Sequence, residues 1–256
     1  MIFSDATFIG IDPTAGVRPF VYAAIDHDRK LLAMGQGTID AVLAFAAGQR
    51  KAIVAVCSPR KPNQGLMTKP EVRQELKPQP LPGRWMNFRM ADYQIRQYNI
   101  RIPQTRGEEE DCPKWMQMGF SLYRRLEKFG YKAYPREGAE CQSIEVYPHA
   151  SYTIMLGVLP FHKHTLEGRL QRQLILFEND VSVPDPMRYF KEITRHRLLN
   201  GMLPQENLYS AYELDALVAA YTACTAAVHP DQISLFGDLN EGQVVVPSAE
   251  LKDRYL

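Results

Sequence analysis

Several absences narrow the chain before any motif is read. Its four cysteines, Cys57, Cys112, Cys141 and Cys224, form no CxxC pair and follow no regular spacing. That excludes a zinc ribbon or a disulfide framework as the organising device. Reduced thiols in a cytoplasmic compartment are therefore expected. No stretch approaches the roughly 20 apolar residues that cross a bilayer; the least polar, ALVAAYTACTAAV, is short and rich in alanine. The opening MIFSDATFIG has neither the basic start nor the long apolar segment of a secretory leader, so neither export nor a membrane partner is expected. Neither GxGxxG nor GxxxxGK occurs, which argues against a glycine-rich phosphate loop. A formal net charge of +1 in 256 residues leaves no single-sign field over the whole molecule.

What is present is enough for a core: 45% hydrophobic and 10% aromatic residues suit one α/β domain over residues 1–256. Three short strands are predicted at Thr7 to Ile11, Pro19 to Ile25 and Leu31 to Gly37, the last two joined by the polar turn Asp26-His27-Asp28-Arg29. Thr38 is a plausible cap for a helix through Ile39, Val42, Leu43 and Ala46, ended by Gly48. The apolar run Lys51 to Cys57 then reads as a strand buried on both faces. A helical crossover makes that fourth strand parallel to the first, so the expectation is a three-strand antiparallel meander followed by parallel strands. Sites in such sheets form beyond the carboxyl ends of the parallel strands, where Asp12 and the Cys57-Ser58-Pro59 end both fall.

Residues 60–110 differ in character. From Arg60 to Arg106 there are six prolines, and ten Lys or Arg against three acids, an excess of seven. Too few regular apolar positions occur for a separate core, so the segment reads as a basic, proline-rich excursion containing one helix near Met90 to Tyr98. Downstream, Pro113 and the stripe Trp115, Met116, Leu122, Tyr123, Leu126, Phe129 give a helix ending at Gly130. CQSIEVYPHASY reads as a strand, and HKHTLEGRLQRQLILFEND as a basic helix with Lys163, Arg169 and Arg172.

Three carboxylates stand out. Asp12 precedes a proline and would serve as a turn residue unless other acids converge on it. Glu145 interrupts the apolar SIEVYP; on a central strand it must be paired, hydrogen-bonded or metal-bound. Asp215 follows the capping-box pattern Ser210 and Glu213, with Ala219 and Thr222 beside it on the helix. A cysteine nucleophile, Cys57 with His149 as base, is a minor alternative.

FIGID, the strand ending in Pro59, RMADYQIRQYNI, SIEVYPHASY, HTLEGRLQRQL, ELDALVAAYTA and LFGDLNEGQVVVP together resemble the DUF429 family, described as predicted nucleases of the ribonuclease H fold. The resemblance implies a ribonuclease H-like mixed sheet flanked by helices. It also implies that Asp12, Glu145 and Asp215 are catalytic residues and metal ligands, holding Mg²⁺ or Mn²⁺. Hydrolysis of phosphodiester bonds in nucleic acid is the implied activity, with Arg60, Lys61, Lys163, Arg169 and Arg172 as candidates for phosphate contacts. The sequence departs from the family where Cys57 replaces an aspartate at the end of the fourth strand. That leaves one metal instead of two, a ligand borrowed from Asp238 or Glu241, or a binding module without turnover as readings of the site.

Overall fold

A computed structural model describes residues 5–16, 18–78 and 83–256 of the chain. The first four residues and positions 79–82 of the basic excursion lie outside the described residues. The chain forms β1 (Thr7–Asp12), β2 (Phe20–Ile25), β3 (Leu31–Gly37), α1 (Ile39–Ala47) and β4 (Ala52–Val56), followed by α2 (Pro70–Leu76), α3 (Met90–Gln97) and α4 (Lys114–Lys128). Next come β5 (Lys132–Ala133), β6 (Cys141–Val146), α5 (Pro148–Leu156), α6 (Leu166–Glu178), α7 (Arg188–Glu192), α8 (Arg195–Leu199), α9 (Ala211–Val228), β7 (Ser234–Asp238) and β8 (Gly242–Val246).

One mixed sheet runs β3-β2-β1-β4-β6-β8-β7, with β5 pairing along the first part of the β6 edge that β8 takes further on. β1, β2 and β3 are the antiparallel meander, and β4 returns parallel to β1 after α1, whose start is capped by the Thr38 hydroxyl accepting from Ala41 N–H. The β2–β3 turn is held by Asp26 Oδ1, which accepts from Asp28 and Lys30 N–H.

Alternation along the strands sorts the core into two layers. Ile9, Ile11, Val54 and Val56 pack on α1 and α4 through Val42, Leu43, Leu122, Tyr123 and Leu126. Phe8, Ile53, Ala55, Ile144 and Val146 face the other way, onto Ala219, Ala220 and Ala223 of α9. Gly10 permits that second contact: a Cβ there would stand 1.8 Å from Ala216 O and 2.6 Å from Ala220 N. Helix backbone therefore lies directly on strand backbone, and the alanine-rich composition of α9 follows from the same lack of space.

The predicted basic helix begins only at Leu166, behind the Thr165 cap, which leaves Lys163 in the turn before it, and two further segments differ from the sequence reading. The strand predicted across CQSIEVYPHASY stops at Val146, because Pro148 occupies the first turn of α5, where its missing N–H costs nothing. The basic excursion contains α2 as well as α3, and it gathers a small apolar cluster of its own: Met67, Trp85 and Tyr93 with Val72, Leu76, Met86, Phe88 and Met90. α2 has no fully buried residue, and Val72 and Leu76 are its only apolar side chains at helical spacing, a pair too short to mark a helix. Among the described residues no helix is long and apolar enough to cross a membrane.

Gly10→Ala tests the α9 contact. The obstacle is helix backbone and not a flexible side chain, so the substitution should cost about 3 kcal/mol or more. Chemical denaturation checks this; a variant with unchanged stability would show that α9 is not seated as described.

Candidate functional site

Asp12 is the last residue of β1, and it shares a face with Phe8 and Gly10, the face covered by α9. Its Oδ1 accepts the Thr14 N–H at 2.8 Å, so the Asx-turn reading of Asp-Pro-Thr is correct as far as it goes. Thr14 in turn sits at φ +48° and donates its hydroxyl to Arg18 O at 2.8 Å, which closes the β1–β2 connection over the aspartate.

Asp215 arrives from α9. Ser210 caps that helix by accepting from Glu213 N–H, while Glu213 accepts from the Ser210 N–H. This capping box fixes the helix start, and the Gly10 contact fixes its height over β1, bringing Asp215 to the end of the strand that carries Asp12. The two carboxylates are 8% and 4% exposed, few enough to be desolvated. Burial first, and the Asp215 charge second, push the Asp12 pKa up to about 7.

One cation answers this pair. Lys163, from the turn before α6, donates its Nζ to Asp215 Oδ2 at 2.5 Å. Although burial would lower the ammonium pKa, Asp215, and Asp12 to a smaller degree, raise it above its ordinary value. Cys57 completes the wall, its thiol donating to Asp215 O at 3.5 Å. Burial and the two aspartates raise the Cys57 pKa strongly, so this sulfur stays a neutral thiol. His149, the alternative base for that thiol, is pushed down to about 4 by burial and by Arg172, and is neutral too.

Glu145 does not join them, and strand register gives the reason. In the paired rows Ile11 stands beside Val56 and Val56 beside Glu145. Neighbours in a row share a face, so Glu145 points to the α4 side while Asp12 points to the α9 side. There Glu145 meets the excursion: Arg89 NH1 donates to Oε2 at 3.1 Å, Arg89 NH2 donates to Oε1, and Arg60 N–H donates to Oε2 at 2.9 Å. Arg89 also holds Asp92 at 3.0 Å and is wholly buried. Burial alone would lower its pKa, but Asp92 and Glu145 raise it well above the ordinary arginine value. Asp238 and Glu241 are elsewhere as well: Asp238 Oδ1 accepts from Asn240 N–H, and Glu241 accepts from Gln64 and Met90 N–H at 2.8 Å each.

The basic candidates divide in the same way. Lys163 reaches the carboxylates. Arg60 is spent on Glu127, Ser143 and the Tyr123 ring. Arg169 donates to Leu208 O and Tyr209 O, and Arg172 to Phe161 O and Gly168 O. The Lys61 ammonium donates to Asn240 O at the surface. Long-range carbonyl partners of this kind leave no mark in a local charge pattern.

A three-carboxylate centre for two ions does not fit these residues: among the described ones no three His, Cys, Asp or Glu side chains are grouped to hold a metal. What remains of the predicted centre is a desolvated carboxylate pair, Asp12 and Asp215, that already retains the Lys163 ammonium. Mg²⁺ commonly takes only one or two protein carboxylates and keeps water for the rest.

A family model described as "Protein of unknown function (DUF429)" matches residues 10–241. No curated protein and no solved structure matches the chain.

Burial of Asp12 has a pH signature. With its pKa raised from 3.8 to about 7 in the fold, the folded state keeps a proton that the unfolded chain releases, so stability falls as pH rises between those values. Asp12→Asn keeps the acceptor for Thr14 and removes the titration. Its stability relative to the parent should be near equal at pH 4, then rise to a gain of about 2–4 kcal/mol above pH 7. Urea titrations across that range decide it; parallel curves would contradict the placement of the charge.

Proposed function

Because the chain belongs to the DUF429 family and gathers two carboxylates and an ammonium at one end of its sheet, we propose that it is a nucleic-acid phosphodiester hydrolase of ribonuclease H-like architecture. The observation that carries this reading is the meeting of Asp12 and Asp215, 203 positions apart in the chain (215 minus 12), beyond the carboxyl ends of parallel strands. The antiparallel meander, crossover helix and parallel continuation support the fold assignment.

Asp12 and Asp215 are the residues that would hold one Mg²⁺ or Mn²⁺ ion, which supplies Lewis acidity toward a phosphoryl oxygen. The chain's own part is separate. Asp12 retains proton affinity close to neutrality, so the pair takes up a cation in competition with a proton. Lys163, on a flexible four-carbon stem, neutralises Asp215 and presents an ammonium where a phosphate would approach. Cys57 contributes a neutral wall. Glu145 is assigned to holding the excursion against the sheet and not to the reaction.

A second reading, a binding module of the same fold without turnover, is favoured by one specific feature. Cys57 stands at the end of β4, beside Asp12, where an oxygen ligand would be expected.

Labelled single-stranded, duplex and branched substrates, incubated with and without Mn²⁺, separate the two. Hydrolysis predicts metal-dependent cutting that falls at least about 100-fold in Asp12→Asn and in Asp215→Asn, equivalent to about 2.7 kcal/mol of barrier. Binding without cutting on every substrate, unaffected by metal, would overturn it in favour of the module.

A further inference from the structure

Around Lys163, beside the carboxylate site, lie a further cation and several rings that the reading above does not use. Tyr212 lies three residues before Asp215 on α9, hence on the same side of the helix, and its ring is half-buried. Three groups from other parts of the chain converge on it. The Arg18 guanidinium lies 5.2 Å from the ring centroid, and the Lys163 ammonium also lies 5.2 Å away. The His164 ring is at 5.7 Å, with the His162 ring 5.5 Å beyond it. Phe161, next in sequence, is 60% exposed. Arg18 is exposed and forms no ion pair among the described residues, while its backbone is pinned by the Thr14 hydroxyl on the turn that also carries Asp12.

Exposed arginines are usually solvated or paired with an acid. Here one is held over an aromatic ring, beside a lysine, at the edge of two aspartates. An interleaved set of cations and π-faces is the chemistry that single-stranded nucleic acid requires: the cations track phosphates, and the rings accept unpaired bases by stacking. A duplex offers phosphates to the cations, but its bases are already stacked on each other and give Phe161 and the histidines nothing to bind.

We propose that Arg18, Phe161, His162, His164 and Tyr212 form a lip that selects single-stranded nucleic acid and feeds its backbone past Lys163 to Asp12 and Asp215. This rests on the hydrolase reading for its direction, but binding and cutting can be measured apart. Arg18 and Lys163 meet the phosphates at the entrance. Phe161 and the histidines hold a neighbouring base. Tyr212 supports both cations from beneath, so it is a positioning residue.

Fluorescence anisotropy in EDTA, where no metal-dependent turnover occurs, tests the lip directly. The probes are labelled oligothymidylate and oligouridylate of about 20 nucleotides and a duplex of the same length. Either single strand should bind at least about fivefold more tightly than the duplex, and Arg18→Ala and Phe161→Ala should each weaken single-strand binding by about fivefold or more. Lys128→Ala, at the far end of α4, should leave it unchanged. Equal affinity for duplex and single strands, or full affinity in both lip variants, would overturn the proposal. If the lip variants lose the single strand while no substrate is ever cut, the lip stands and the hydrolase reading falls. If Arg18→Ala and Phe161→Ala bind and cut single strands as well as the parent does, the reverse holds.

Discussion

Two carboxylates buried at one end of a sheet repel, and the Lys163 ammonium is the charge that lets them coexist. Everything at the site follows from that electrostatic constraint. Asp12 and Asp215 are placed by a strand end, by a helix start that the Ser210 and Glu213 side chains cap, and by the bare Cα of Gly10 that lets α9 lie against β1. Given that placement, desolvation must be met by protonation, by a cation, or by both. Asp12 takes the first route in part, with its pKa near 7, and Asp215 the second, with Lys163 at 2.5 Å. A position held by an ammonium is also one that a hard metal cation can contest.

The second buried charge cluster serves a different purpose. Arg89, Asp92 and Glu145 are almost completely removed from solvent, and Glu241 is fully buried with two backbone N–H donors. Apart from the Arg89–Asp92 pair within the excursion, these contacts join residues 60–92 to β6 or to the β7–β8 connection. The excursion therefore is not a loosely solvated basic strip, because Arg60 and Arg89 neutralise acids of the fold itself. Removing one member would leave an uncompensated buried charge at a cost of about 3–5 kcal/mol. A glutamate in SIEVYP is thus explained by packing the insertion onto the sheet.

Much of the central sheet was legible because its signals are local. The meander, α1 and β4 follow from apolar runs separated by Asp26–Arg29 and by the Thr38 cap, and α9 announces itself through Ser210 and Glu213. Alternation along β6 sets Ile144 and Val146 opposite Glu145. What it could not reveal was which face is which, since that depends on the pairing of Val56 with Glu145 across 89 positions (145 minus 56). That single row decides that Glu145 parts from Asp12. The lip was missed for the same reason: Arg18, His164 and Tyr212 lie in three separate segments, and none is unusual in its own neighbourhood. Pro148 was the readable signal that went unused, marking a helix start inside what looked like one long strand.

Calorimetric titration with Mn²⁺ at pH 8 tests the central claim most directly, because it counts ions and identifies their ligands together. The account predicts one site per chain, lost in Asp12→Asn and in Asp215→Asn, retained in a folded Glu145→Gln, and tightened in Lys163→Met, where the competing ammonium is gone. Two sites per chain, or a site that disappears with Glu145 while the aspartate variants still bind, would contradict it.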